Sequence, residues 1–274
     1  MYTAYWKLTA RPFDNSADPK FYYPGEAYQV TRLKLRYALE HPQGAALLAG
    51  AAGLGKSLLV QTLLAELPDS FGPTVIIRFP QMSSPQLLAL IAEELTGRNM
   101  DGATVDRSVL AIQRTLGKNE QEGRRAVLVI DEAHLVREAD ALETLRLLIN
   151  FAPAWTLVLV AQPALLPVLE RSPDLEERIG VQCLLQPLSC EESVRYVSHR
   201  LAASGVADVV SVFQPAALEV LHQLSGGIPR RINRLGDLAL LIGFAEEQRR
   251  VTAEHVAAVA EELLTAHAGL RHAA

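Results

Sequence analysis

A parallel α/β sheet followed by a small all-helical domain is what this sequence predicts, and three observations carry the prediction. Short apolar runs alternate with helical stretches from Ala45 to Leu185, the pattern of a sheet covered by helices on both faces. Near Pro187 the pattern changes, and four helical stretches follow with no convincing strand between them. The chain has 274 residues, enough for one large domain with an appendix.

The elements follow in order. The first stretch, to Pro24, is rich in aromatics and prolines without a period and reads as an extended arm. Val30, Leu33, Leu35, Tyr37, Ala38 and Leu39 fit a helix over 26–40. Ala45–Ala49 is a short apolar run ending in glycine, as a buried parallel strand would be. A helix over 56–67 halts before Pro68, and TVIIRF (74–79), rich in β-branched residues, is the next strand. Helices over 85–95 and 105–116 flank a polar GRNMDG turn, and AVLVI (126–130) is the clearest buried strand. A helix over 135–149, a strand over 155–160, a short helix over 165–170 and a strand over 181–185 complete the sheet region. The later helices are read over 191–203, 215–224, 229–245 and 253–264. The expected organisation is an arm (1–25), an α/β domain (26–187), a helical domain (188–265) and a frayed tail (266–274).

Composition bounds the function. Hydrophobic residues make up 49% and charged residues 21%, which suits an ordered core. Lys and Arg total 26 against 31 Asp and Glu, a net charge of -5, which excludes a uniformly basic nucleic-acid coat but not a local basic patch. No apolar run reaches the roughly 18 residues of a membrane span. The longest candidate, Trp155–Leu169, is broken by Gln162, Pro163 and Pro167. The first residues lack the apolar stretch of a signal peptide, and Cys183 and Cys190 are spaced for neither a zinc knuckle nor a redox pair. These features predict a cytoplasmic protein.

Gly50-Ala-Ala-Gly53-Leu54-Gly55-Lys56-Ser57 matches the phosphate-binding loop G-x-x-x-x-G-K-S, with an apolar strand before it and a helix after it. Its glycines let successive N–H groups face phosphates at a helix N-terminus. The nucleotide-binding set is Gly50, Gly53, Leu54, Gly55, Lys56, Ser57 and Leu58, with Lys56 as a point charge and Ser57 as a magnesium ligand. ATP and Mg2+ are the expected substrate and cofactor. Asp131-Glu132 ends the most apolar strand, where functional residues of a parallel sheet gather. Asp131 can hold magnesium through its water shell, and Glu132 can accept a proton from an attacking water. The alternative for the pair, a turn with a helix N-cap, loses weight beside the phosphate loop. The string Asp131-Glu132-Ala133-His134 invites a helicase reading, but one phosphate loop does not supply the two motor domains such helicases need. His134 then reads as an ordinary residue at a helix start.

On these residues the sequence resembles the AAA+ ATPases, P-loop NTPases of the ASCE type with a C-terminal helical lid. Within them it resembles the general secretion pathway protein A (ExeA-type) ATPases, which are similar to the ATPase subunits of Tn7-like and Mu-like transposition systems. Besides the loop and VLVIDEAH, the resemblance rests on Arg11-Pro12-Phe13 and Asp18-Pro19-Lys20-Phe21-Tyr22 in the arm. It also rests on Leu145-Arg146-Leu147-Leu148 followed by Asn150, on Ala161-Gln162-Pro163, and on Gly227-Ile228-Pro229-Arg230. Members of that family continue into a membrane span and a peptidoglycan-binding part that this sequence does not contain.

The resemblance assigns further residues. It makes Gln162, after the fourth strand, a polar sensor near the attacking water, although the usual residue there is smaller. Arg178, before the last core strand, becomes the arginine finger donated to a neighbouring subunit, with Arg171 as its rival. A helix-surface arginine paired with Asp174 stays open as the other reading of Arg178. Arg230 becomes the second sensor, in the first turn of a helix that Pro229 starts. A cation there opposes the helix dipole and implies an anion to be met, whereas Arg231 and Arg234 stay open as solvated or DNA-facing. Tyr22, Tyr23, Pro24 and Tyr28 lie where relatives pack an arm against adenine, with core packing an equal reading. The expected function is an ATPase acting at the interfaces of a homo-oligomer, a ring of six or seven subunits or a helical one. ATP would lie between sheet and lid, and hydrolysis would drive or switch a secretion or export-type partner complex. The alternative is an ATP-dependent DNA-binding filament resembling the transposition ATPases, to which Arg36, Arg78, Arg98 and Arg107 could contribute.

Overall fold

The computed structural model describes residues 1–15, 19–41, 44–136, 139–151 and 155–272; Asp18 of the arm lies outside them. The chain divides into two compact units. One holds residues 27–52 and 56–185, and the other residues 1–26, 53–55 and 186–274.

The first unit is a five-stranded parallel sheet with helices. In chain order it comprises α2 (Glu26–Glu40), β1 (Ala45–Gly50), α3 (Lys56–Ala65), β2 (Phe71–Ile77), α4 (Ser84–Thr96), α5 (Val105–Gln121) and β3 (Arg125–Ile130). It continues with α6 (Ala139–Ile149), β4 (Trp155–Ala161), α7 (Leu166–Glu170), α8 (Pro173–Glu176) and β5 (Ile179–Leu185). The short α1 (Tyr2–Tyr5) precedes them in the chain. The strand order is β2-β3-β4-β1-β5, so β4 inserts between β1 and β3. The central strands β1 and β4 are buried along their whole length, as strands covered on both faces must be. On the edge strand β5 burial alternates, with Cys183 and Leu185 inside and Gln182 and Leu184 outside. Leu47, Leu87, Ile91, Ile112, Leu128 and Leu157 are at most 1% exposed, and each such side chain contributes about 1.5–3 kcal/mol by leaving water.

Register fixes what the sheet presents. Ala49 pairs with Ala161 and Ile130 with Leu159, so β1, β4 and β3 end side by side. The loop after Gly50, the residue after Ala161 and the pair after Ile130 therefore leave one edge of the sheet together.

The second unit contains α9 (Cys190–Ala202), α10 (Pro215–Ser225), α11 (Pro229–Ala245) and α12 (Ala253–His272). Ser189 and Glu192 form a capping box at the start of α9, which satisfies N–H groups the helix leaves unpaired. Gly227, at φ +67, lies against Leu188: its carbonyl accepts the Leu188 N–H at 2.9 Å, and a Cβ on it would fall 2.0 Å from the Leu188 oxygen. Only glycine fits that approach.

Several elements differ from the sequence expectation. The arm is not a separate extended segment, because its aperiodic aromatics act as anchors in the helical unit. Trp6, Phe13 and Phe21 are buried, and the Trp6 indole N–H donates to the Leu240 carbonyl at 3.0 Å. Buried Arg200 donates to the carbonyls of Pro12 and Asp14 and lies 4.1 Å over the Phe21 ring. Arg11 pairs with Asp237 at 2.6 Å. The strand expected to reach Phe79 ends at Ile77, leaving Phe79 64% exposed. The helix expected from Leu135 is instead a 3₁₀ turn, Ala133–Leu135, followed by α6 from Ala139. The last helix runs on to His272 rather than ending at Leu264.

Candidate active site

The loop from Gly50 to Ser57 links β1 to the first turn of α3. Gly53 and Gly55 take φ +85 and +82, left-handed values that glycine adopts without a side-chain clash. Lys56 is the first residue of α3 and is 7% exposed. Its Nζ donates to the carbonyl oxygens of Gly50 and Ala51, at 2.8 and 3.0 Å. Leu54 is buried, and Leu58 is half-buried on α3. The apex residues Gly53–Gly55 group with the helical unit: the Arg230 N–H donates to the Gly53 carbonyl at 3.2 Å. A Cβ on Gly53 would lie 2.8 Å from Arg230 Cβ. Pro229 is the first residue of α11, and the Arg230 side chain is exposed in its first turn.

Asp131 and Glu132 follow β3. Ser57 Oγ donates to Asp131 Oδ2 at 2.7 Å, so the loop and the end of β3 meet through this contact. The Asp131 N–H is held by the Ile77 carbonyl at 2.8 Å, and Asp131 Oδ1 accepts the Glu132 N–H at 2.9 Å. Glu132 itself takes φ +53 and ψ 37, uncommon for a residue with a side chain, and its side chain is 45% exposed. Magnesium takes hard oxygen ligands, and the paired Ser57 hydroxyl and Asp131 carboxylate are of that kind.

Gln162 follows β4. The bond found at Gln162 is through its main chain, whose N–H donates to His134 Nδ1 at 3.3 Å. The same His134 nitrogen lies 3.4 Å from Glu132 Oε2. Reading the sequence passed over His134 as an ordinary helix-start residue. Its spacing after Glu132 was visible, whereas its contact with a residue 28 positions away was not.

Arg178 lies elsewhere. It precedes β5, and its carbonyl accepts the Ala45 N–H at 3.1 Å, at the start of β1. Lys56 follows the far end of β1. At about 3.3 Å per residue, a strand of this length separates the two ends of the sheet by roughly 16 Å. The Arg178 guanidinium donates to the Asn150 side-chain oxygen rather than pairing with Asp174 as the surface reading had it. Arg171 is exposed between α7 and α8.

The arm aromatics pack among themselves and with α9. The Tyr23 ring meets those of Tyr196 and His199 edge-on, with centroids 5.7 and 5.8 Å apart. Burial pushes the Tyr23 phenol up and the His199 imidazole down from their ordinary pKa ranges. Tyr28 is buried on α2.

Comparison with known proteins gives three findings. Residues 39–169 match the family model described as AAA domain. The chain is 35% identical over 271 residues to general secretion pathway protein A of Aeromonas hydrophila, covering 96% of this chain and 48% of that protein. It therefore spans about half the length of that relative. Among solved structures, Drosophila ORC bound to DNA superposes with a TM-score of 0.71 at 20% identity, over 92% of this chain and 64% of that one. The Aeropyrum pernix ORC2 protein gives 0.67 at 20% identity, over 92% and 71%. The Thermotoga maritima RuvB Holliday junction branch migration motor gives 0.59 at 24% identity, over 87% and 70%.

Proposed function

We propose that the chain is an AAA+ ATPase, a reading supported by the match of residues 39–169 to the AAA domain model, and that it hydrolyses ATP at interfaces between its own copies. The cycle would drive or switch the assembly of a secretion or export-type partner complex in the cytoplasm. The observation that carries the chemistry is the Ser57–Asp131 contact, which joins the phosphate loop to the strand end bearing Glu132. In this reading the N–H groups of the loop and of the first turn of α3 hold the phosphates. Lys56 exchanges its carbonyl partners for phosphate oxygens. Ser57 and, through water, Asp131 would hold Mg2+, which when bound neutralises charge on the phosphates. Glu132 accepts the proton of the attacking water, and Gln162 lies at the end of β4 beside that edge.

Arg178 is the residue donated to a neighbour. Its place at the amino end of the sheet, away from the phosphate loop of its own chain, supports donation to a second copy, where it would leave Asn150 for the phosphates. Arg230, whose main chain meets Gly53, would serve as the second sensor. The export-type role is supported by the 35% identity to general secretion pathway protein A, and the ring or helical oligomer by the position of Arg178. The test is turnover of Glu132→Gln, expected to fall by about 10²–10⁴-fold while nucleotide affinity is kept. Hydrolysis at the wild-type rate would remove Glu132 from the role of base.

One observation favours a second reading, an ATP-dependent DNA-binding regulator. Arg231 and Arg234 are both exposed, three residues apart on one face of α11. Duplex binding that weakens steeply with salt and with Arg231→Glu would support it; affinity indifferent to both would end it.

A further inference from the structure

His134 has no part in the chemistry above, yet it is nearly buried beside Glu132 and bonded to the end of β4. It sits in the 3₁₀ turn Ala133–Leu135 with its side chain 11% exposed. That turn packs on β4 and on the 3₁₀ turn Pro163–Leu165 that follows Gln162. One ring nitrogen faces two groups: Nδ1 accepts the Gln162 N–H at 3.3 Å and lies 3.4 Å from Glu132 Oε2.

A nitrogen that accepts carries no proton, so the neutral ring holds its proton on Nε2. Such a ring offers the Glu132 carboxylate no donor; a lone pair faces it instead. The bond to Gln162 has a second effect. Glu132 holds a left-handed backbone, which is unfavourable for a residue with a side chain. Such conformations persist where the surroundings hold them. The His134–Gln162 bond, two residues further on, anchors that turn to the end of β4.

We infer that His134 is a positioning residue for hydrolysis: its Nδ1, by accepting from the Gln162 main chain, ties the turn bearing Glu132 to the end of β4. The inference rests on the ATPase reading, because the step it serves is that reaction.

Two measurements test it. The first uses the nucleotide-free chain and reads the ring nitrogens of His134 and the Gln162 amide by 15N NMR. Nδ1 should be unprotonated. The Gln162 amide should shift in His134→Ala and stay in place in His134→Asn, whose Oδ1 stands where Nδ1 stood and accepts the same bond. A proton found on Nδ1 overturns the inference. The second measures ATP turnover. His134→Ala should lower kcat by about tenfold or more with KM for ATP unchanged, within the range of a misplaced general base. His134→Asn should recover most of that loss, and His134→Gln, with its carbonyl one bond further out, should not. His134→Ala at the wild-type rate overturns the inference, as do Ala and Asn variants that are equally slow, or a loss that appears in KM as much as in kcat. A wild-type chain that turns over no ATP overturns the ATPase reading and this inference with it. That result is distinct from an active wild type matched by His134→Ala, which overturns His134 alone.

Discussion

Gly53 and Glu132 both hold left-handed backbone, and only one of them is glycine. At Gly53 an alanine would bring strain and a Cβ 2.8 Å from Arg230 Cβ. Gly53→Ala should therefore cost stability by about 1–2 kcal/mol and abolish nucleotide binding, measurable together by thermal shift with and without Mg2+-ATP. Lys56→Ala should remove nucleotide affinity, because the amine that now meets the loop carbonyls of Gly50 and Ala51 is the charge offered to the phosphates. A variant that binds ATP as the wild type does would contradict the role given to the lysine. The glycines, Lys56, Ser57 and the Asp131-Glu132 pair were legible in the sequence because their spacing is local and their chemistry needs those residue types. The partners of His134 and Arg178 were not. Each is 28 positions away, brought near only by the strand order.

At the level of elements, the insertion of β4 between β1 and β3 is what sets Gln162 beside the phosphate loop and Asp131. Hydrophobic runs announced the strands, most plainly β1 and β4, which are buried on both faces and must be apolar throughout. They did not announce the order, which depends on crossovers that leave no local mark. The arm misled for a different reason. Trp6, Phe13 and Phe21 follow neither the helical nor the strand period, yet each fills a place among the later helices. Trp6→Ala should cost about 3–5 kcal/mol; Trp6→Phe, which keeps the ring but loses the bond to the Leu240 carbonyl, should cost about 1 kcal/mol. Urea unfolding followed by circular dichroism measures both. Equal, small losses would mean that the arm adds little to the helical unit.

For the whole molecule, the central claim is that a site built by one chain is completed by Arg178 of another. The direct measurement is ATP turnover of Glu132→Gln and Arg178→Ala, each alone and then mixed in equal amounts. Each variant alone should be nearly inactive. In the mixture, random head-to-tail pairing sets an intact Glu132 against an intact Arg178 at about a quarter of the interfaces. Activity should reappear there and rise with protein concentration. Full activity of Arg178→Ala alone, or a mixture as inactive as its components, would contradict the account.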